Sequence, residues 1–221
     1  NKGNVVITGT KIKKSAVKIV IPNKIDGKTV EEIANRAFSG HERLRSVTIP
    51  ETVLVIGEEA FYETPALEEI KVAKDNPNYT TAEGNLYNKD ISYLVWVTAD
   101  VTETFVIPAT VRSMSRLAFS SCKKLTSIHI QTNGKNPQES FNIGTLFNDN
   151  FSQCTSLRGI WVDVDHPYYL STDGVLFTRD GKRLLAVPPA FNQKNYVVPY
   201  NVQEIGGFSF SGCYKIETVT I

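Results

Sequence analysis

The chain has almost no charge imbalance, and that removes several classes of function at once. Of its 221 residues, 24 are lysine or arginine and 23 are aspartate or glutamate, interspersed, for a net charge of +1. It therefore lacks the clustered cations that binding to nucleic acid or an anionic membrane requires. Long apolar runs are missing too, and none approaches the roughly 18–20 residues of a spanning helix. Cysteine is scarce, at three residues, and no Cys-x-x-Cys pair occurs, which argues against zinc. Histidine also numbers three. No Gly-x-Ser-x-Gly, His-Glu-x-x-His, phosphate-loop or Gly-x-Gly-x-x-Gly string is present. The expectation is a protein that is not an enzyme and holds no cofactor or metal.

What the chain does have is a repeat. Leu44-x-x-Val47-x-Ile49-Pro50-x-x-Val53-x-x-Ile56-Gly57-x-x-Ala60-Phe61 returns with small changes along its length. The marker phenylalanines are Phe38, Phe61, Phe119, Phe151 and Phe210. Each is followed six residues later by Leu44, Leu67, Leu125, Leu157 or Ile216. An apolar pair spaced by three precedes each marker: Val30/Ile33, Val53/Ile56, Val111/Met114, Ile143/Leu146 and Val202/Ile205. A period in the twenties implies a solenoid, in which each coil buries its apolar face only against its neighbours.

Alternating runs after each marker read as short parallel strands at about 19–21, 46–49, 69–72, 104–107, 127–130, 159–162, 195–198 and 218–221. If all eight join one ladder, the sheet runs about 35–40 Å along the axis. Pro22, Pro50, Pro108 and Pro199 end strands, because proline has no N–H to donate. Gly57 and Gly206 are expected to ease a turn that bulkier residues would strain. The segment before each marker is too short for a helix and reads as a tight helical or 3₁₀ turn.

A larger element is also duplicated. Asp75-Asn76-Pro77-x-Tyr79 with Glu83-Gly84-x-Leu86-Tyr87 matches Asp165-His166-Pro167-x-Tyr169 with Asp173-Gly174-x-Leu176-Phe177, at an offset of 90 (167 − 77). Apolar runs flanking Asn88-Lys89-Asp90 and Thr178-Arg179-Asp180-Gly181 read as β-hairpins. The oxygen-rich residues Asp75, Asn76, Asn78, Glu83 and Asn85 do not have calcium-loop spacing, and structural turns account for them.

This template resembles the BspA-like leucine-rich repeat family, in the run Ile49 to Ile70 and its copies Ile107 to Ile128 and Val198 to Val219, and in both inserts. The opening Ile7-Thr8-Gly9, Val20-Ile21-Pro22 and Ile25-Asp26-Gly27 also looks like that family's first unit. The asparagine ladder of better-known leucine-rich repeats is absent, with Thr52 at that position of the second unit. The resemblance implies a right-handed, β-rich solenoid, a secreted or cell-surface bacterial location, and adhesion through protein–protein contact. The expected organisation is a single domain over 1–221. It has a cap over 1–18 with a strand at about Asn4–Thr8, hairpin inserts at about 75–98 and 165–188, and an extra polar loop at about 131–142.

Asn1 opens a polar stretch with no leader pattern, and Ile221 falls in mid-strand. Both are expected of a mature or truncated segment, whose far coil a further segment or a partner would cover. Neither argues against export.

Cys122, Cys154 and Cys213 each stand three residues after a marker phenylalanine, where His41 and Thr64 stand in other units. They read as buried thiols in a turn. A Cys122–Cys154 bridge would need side chains turned toward each other, whereas both should point into the core.

The candidate site lies on the outward face of the ladder, the concave face of the expected solenoid. Side chains alternate along a strand, so one outward row reads Val20, Thr48, Lys71, Val106, His129, Trp161, Val197, Thr220. A tryptophan between His129 and Val197, with Gly159 beside it, is a typical anchor for protein or sugar. The candidate ligand-binding residues are Lys71, Val106, His129, Trp161 and Val197. Trp161 could instead pack beneath the 131–142 loop or against an insert; Trp96 reads as packing. The expected partner is a protein of a host or neighbouring cell. A glycan-binding protein and a structural spacer are the alternatives, with no nucleic acid and no membrane insertion.

Overall fold

The computed structural model describes residues 3–9, 11–142 and 150–221. It is a β-solenoid of stacked coils. Among the described residues the one helical element is a 3₁₀ turn at Pro137–Glu139, and no helix is long and apolar enough to cross a membrane. The chain divides into two compact units. One is Asn1–Asp100 with Met114–Ser121; the other is Val101–Ser113 with Cys122–Ile221. The expected pair Ile143/Leu146 lies outside the described residues.

In the first unit, Lys18–Val20, Ser46–Ile49 and Glu69–Val72 form a parallel ladder in strict register, Val47 opposite Ile19 and Ile70. Inward residues of these strands, Val47, Ile49 and Ile70, are buried with Leu44, Leu67, Phe38 and Phe61 in one core. The rings of Phe38 and Phe61 stack with centroids 5.5 Å apart. The aromatic column then continues through Trp96, 5.8 Å from Phe61. Trp96 belongs to the insert and takes the place of a marker phenylalanine.

A second ladder, on another side of the coil, is the main addition to the expected picture. Val5–Ile7 pairs in parallel with Lys28–Ile33, which pairs with Val55–Ile56. A strand expected at about Asn4–Thr8 is present at Val5–Ile7, and it pairs within this second ladder.

The first unit also shows why a small residue stands four places before Phe38, Phe61 and Phe119. The N–H of Ala34 bonds Ile7 O, that of Gly57 bonds Ile33 O, and that of Ser115 bonds Leu94 O, at 2.7–2.9 Å. A Cβ on Gly57 would sit 2.3 Å from Asn35 N. Gly57 is required by the approach of one coil's backbone to the next, and no left-handed turn is involved. The same holds at Gly206 in the second unit, whose Cβ would meet Leu184 O at 2.9 Å.

In the second unit the ladder expected to be continuous is broken. Thr104–Ile107, Ser127–Ile130 and Gly159–Val162 form one group, and Asn195–Val197 with Thr218–Thr220 forms another. The insert supplies the reason. The carbonyl of Gly174 accepts the Ile160 N–H at 2.8 Å, and the Ser171 hydroxyl accepts the Val162 N–H at 3.2 Å. The outer edge of Gly159–Val162 is therefore already bonded when the next coil begins. A separate core of Val175, Phe177, Leu184, Val187, Phe191, Tyr196 and Val198 lies beyond the break.

Each insert is a three-stranded meander. Its first turn has two residues at positive φ, Glu83-Gly84 (50°, 77°) and Asp173-Gly174 (52°, 77°), the tight reversal that suits the twist of a hairpin. Its last strand pairs with a short strand of the coil that follows, as Arg183–Ala186 does in parallel with Glu204–Ile205.

The start of each insert is pinned by one buried side chain. Asn76 donates from Nδ2 to Pro50 O (2.8 Å) and Val53 O (2.9 Å). Its Oδ1 accepts the N–H groups of Asn78 (2.9 Å) and Tyr79 (2.8 Å). His166 takes the same place in the second insert, where Nδ1 accepts from Tyr168 N–H (3.3 Å) and Tyr169 N–H (3.2 Å). Two donors aimed at Nδ1 require its lone pair and place the proton on Nε2. Burial, reinforced by the charge of Arg179 and opposed by Asp163 and Asp165, depresses the His166 pKa to about 4.

None of the three cysteines forms a disulfide; Cys122 and Cys154 are buried and Cys213 is half-buried. Burial pushes the Cys154 pKa far up and that of Cys213 to about 12. Cys213 donates to Val187 O at 3.3 Å. At the matching position in the first unit, Thr64 Oγ1 donates to Phe61 O at 2.5 Å and His41 Nδ1 lies 2.8 Å from Phe38 O.

The pinned inserts give two predictions. Asn76→Ala takes the side-chain donor from Val53 O, one of two donors from Pro50 O, and the acceptor from two N–H groups, and should cost about 3 kcal/mol in urea unfolding. A residue that binds its proton mainly when unfolded stabilises the fold fully above its unfolded pKa, and that stability is lost as pH falls toward the folded value. For His166 the window runs from about 6.5 down to about 4, with a loss on the order of 2–3 kcal/mol. His166→Asn should flatten the stability profile across that window, measured by urea melts at pH 7 and pH 4.5.

Candidate surface on the Thr104–Ile107 ladder

Of the five expected site residues, the structure sets three side by side. Val106 is register partner of His129, and His129 of Trp161. All three come from strands whose inward residues, Phe105, Ile107, Ile128, Ile130 and Ile160, are buried. Val106 and Trp161 remain exposed, at 43% and 45%. Val197 is more open, at 67%, but belongs to the two-stranded group with Thr220 as its partner. Lys71 lies in the first unit beside Thr48, where its Nζ contacts Glu69 Oε1 at 2.9 Å. The Lys71 ammonium holds the Glu69 carboxyl below the usual carboxylate range, assisted by Ser46 and opposed by partial desolvation.

Trp161 does not stand free of its strand. A Cβ on Gly159 would lie 2.6 Å from the indole Nε1, 2.9 Å from Cε2 and 3.2 Å from Cζ2. The ring is laid over Gly159, which is buried as a result, and its Cζ2 edge approaches Gly174 of the insert. It is thus packed on one side, against Gly159 and the insert at Gly174, and open on the other. Few rotamers remain to it, so a ligand would find the ring already placed.

The sequence reading missed Asp163. Its Oδ1 lies 2.6 Å from His129 Nε2, and its Oδ2 accepts the Thr132 N–H at 2.9 Å. Desolvation raises the Asp163 carboxyl, but the Thr132 N–H and the His129 ring outweigh it and hold it below the usual carboxylate range. The repeat marks only that Asp163 follows its strand where Ala73 stands in the first unit, and does not point to His129 as its partner. The same carboxylate fixes the start of the 131–142 loop. That loop is tied back by Ser140 Oγ to Asn133 N–H (2.9 Å), and its Gln138 carbonyl accepts from Tyr168 Oη (2.7 Å).

Among the described residues no group of three or more His, Cys, Asp or Glu side chains could hold a metal ion. The oxygen-rich insert residues are occupied by backbone: Asn78 donates to Leu54 O (2.7 Å), and Asn85 accepts from Thr98 N–H (3.0 Å).

Short coils, parallel strands stacked one repeat apart and leucine, isoleucine and phenylalanine at fixed positions define a leucine-rich-repeat solenoid. The chain belongs to the BspA type leucine rich repeat family, whose model matches residues 11–93, 89–160 and 190–221 in 6 copies. Its fold is similar to a leucine-rich repeat protein from Eubacterium ventriosum, 16% identical with a TM-score of 0.57. It is also similar to the pneumococcal vaccine antigen PcpA, 19% identical with a TM-score of 0.58. The matches cover 93% and 88% of this chain but only 47% and 43% of those proteins. A leucine rich cell surface protein from Faecalibacterium prausnitzii matches over 93% of this chain and 66% of its own, at 19% identity and a TM-score of 0.45. No curated protein matches the chain in sequence.

The seating of the indole gives a direct test. Trp161 is half-exposed while Trp96 is 2% exposed. Acrylamide should therefore quench one component of the emission strongly and the other weakly, and Trp161→Phe should remove the quenchable one. Gly159→Ala should drive the ring into water and red-shift its emission.

Proposed function

We propose that this chain is a non-catalytic adhesion module, forming a single solenoid domain of a secreted or cell-surface bacterial protein, and that it binds a protein of a host or neighbouring cell. Membership of the BspA type family supports the class. One observation supports the place: a half-exposed indole seated on Gly159, in register with His129 and Val106. An aromatic anchor on a rigid strand, beside a polar pair with a free rim, is the composition of an interface centre. Val197 and Lys71 would serve a ligand of protein size as outlying contacts.

The test is a binding screen of the purified chain against extracellular host proteins, bacterial surface proteins and a glycan array. Trp161→Ala should weaken the protein interaction by about ten-fold or more, the loss expected of a central anchor, with an unchanged melting temperature. Undiminished binding by that variant would remove the ladder face from consideration. A response confined to the glycan array would replace protein by carbohydrate as the ligand.

A further inference from the structure

The break in the ladder creates a second feature that the repeat pattern does not anticipate. Between the second insert and the Asn195–Val197 strand lies a cleft of about 470 Å³. Phe177, Phe191 and Tyr196 supply its aromatic walls, and Asp173 and Asp180 stand among its lining residues. Phe191 and Tyr196 meet edge to face, with centroids 5.7 Å apart. No lysine or arginine lines the cleft.

Both carboxylates have capacity left. Asp180 Oδ1 is oriented by the Thr178 hydroxyl at 2.7 Å and the Lys182 N–H at 3.1 Å, which leaves Oδ2 available. Asp173 holds a left-handed turn position (φ 52°) and has no side-chain partner among the described residues. The negative field of Asp173, added to the larger effect of burial, raises the Tyr196 pKa to about 12. The corresponding residue of the first insert differs: Asn85 is tied to Thr98, whereas Val175 adds an apolar wall to the cleft.

A strand edge opens here as well. Lys194 O accepts from Thr218 N–H, and Val198 N–H bonds Thr220 O. Alternate residues of a parallel strand face opposite neighbours, so Asn195 and Val197 turn their N–H and C=O groups the other way. On that side they have no strand partner among the described residues. Val197 both lines the cleft and belongs to this edge.

We propose that this cleft and edge form a second binding site, for an extended peptide segment that carries a lysine or arginine side chain. The segment's backbone adds to the free groups of Asn195 and Val197. Its cationic side chain enters among the aromatic rings and meets one of the two carboxylates, Asp173 or Asp180, which stand in the turns at opposite ends of the Val175–Thr178 strand. Main-chain bonding supplies affinity in strand addition and a side-chain pocket supplies selectivity. Cations are favoured over aromatic faces and beside carboxylates. The site shares Val197 with the outlying contacts of the Trp161 surface but does not include Trp161 itself.

The experiment uses fluorescein-labelled, end-blocked valine–threonine peptides with one central arginine, lysine, glutamine or glutamate, measured by polarisation on the whole chain. The arginine and lysine peptides should bind, and the glutamine and glutamate peptides should be weaker by about ten-fold or more, as loss of a charge-assisted contact requires. The Asp173→Asn, Asp180→Asn double variant keeps turn and acceptor geometry, since asparagine tolerates a left-handed position. It should remove the preference for the cation. Methylating the peptide nitrogens that face the strand should abolish binding. Trp161→Ala should bind the arginine peptide as the parent does, even if it loses the protein ligand of the ladder face. Equal binding of arginine and glutamate peptides would overturn the proposal, as would no binding of any peptide, indifference to methylation, or loss of binding in Trp161→Ala.

Discussion

The structure depends on one contact: the hydrogen bond from a coil's backbone to the same position one repeat earlier. Glu68 N–H bonds Arg45 O and Glu217 N–H bonds Lys194 O, in each case 23 residues apart. Those bonds set the coils at strand spacing, so equivalent side chains stack as rows. The apolar rows become the core, and polar ones become pairs such as Ser46 with Glu69 and Lys194 with Glu217. Exposed pairs of this kind add little stability singly; their regularity is a consequence of the backbone register. The small-residue row of Ala34, Gly57, Ser115 and Gly206 follows too, because two backbones cannot meet where a large side chain intervenes.

The inserts work against this regularity and produce most of what is individual about the chain. They bond the edge of a ladder that the next coil would have taken, as Gly174 does to Ile160. They also supply aromatic rings where a coil has none of its own. Trp96 continues the column of Phe38 and Phe61, while the second insert has Ala186 at that place and a core drawn from Phe177, Phe191 and Tyr196. Two elements of similar sequence thus differ where single residues change role. Asn76 becomes His166, which keeps the accepting atom and gains an acid-labile proton site. Asn85 becomes Val175, which exchanges a polar tie for an apolar wall.

Where a local pattern carries the physics, the sequence reading and the structure agree closely. The strand at Ser127–Ile130 was legible because alternation over four residues with two buried isoleucines has few other solutions. The second ladder was not, since strands such as Val55–Ile56 are two residues long and show no period. The continuous sheet was expected because nothing in the run Asn195–Val197 records that its neighbour's edge is already taken. In the candidate surface, Trp161 and His129 were legible from strand position alone. Asp163 was not, because its partner stands 34 residues away and coil stacking alone brings them together.

The two proposed surfaces of the second unit would bind in different ways. Trp161 offers side-chain area whose entropy has already been lost to Gly159 and Gly174, so contact with it costs little further ordering. The Asn195–Val197 edge offers main-chain groups, which bind an extended segment with little regard to sequence unless a pocket discriminates. Most exposed edges are a liability for that reason and are blunted by charge or covered. Here the cover stops short: the insert occupies the edge of Gly159–Val162 and leaves the following strand open beside a cleft with two carboxylates. The same insertion that ends one ladder therefore exposes the next, and in the proposed site the acidic residues beside the opening would restrict which segments can extend it.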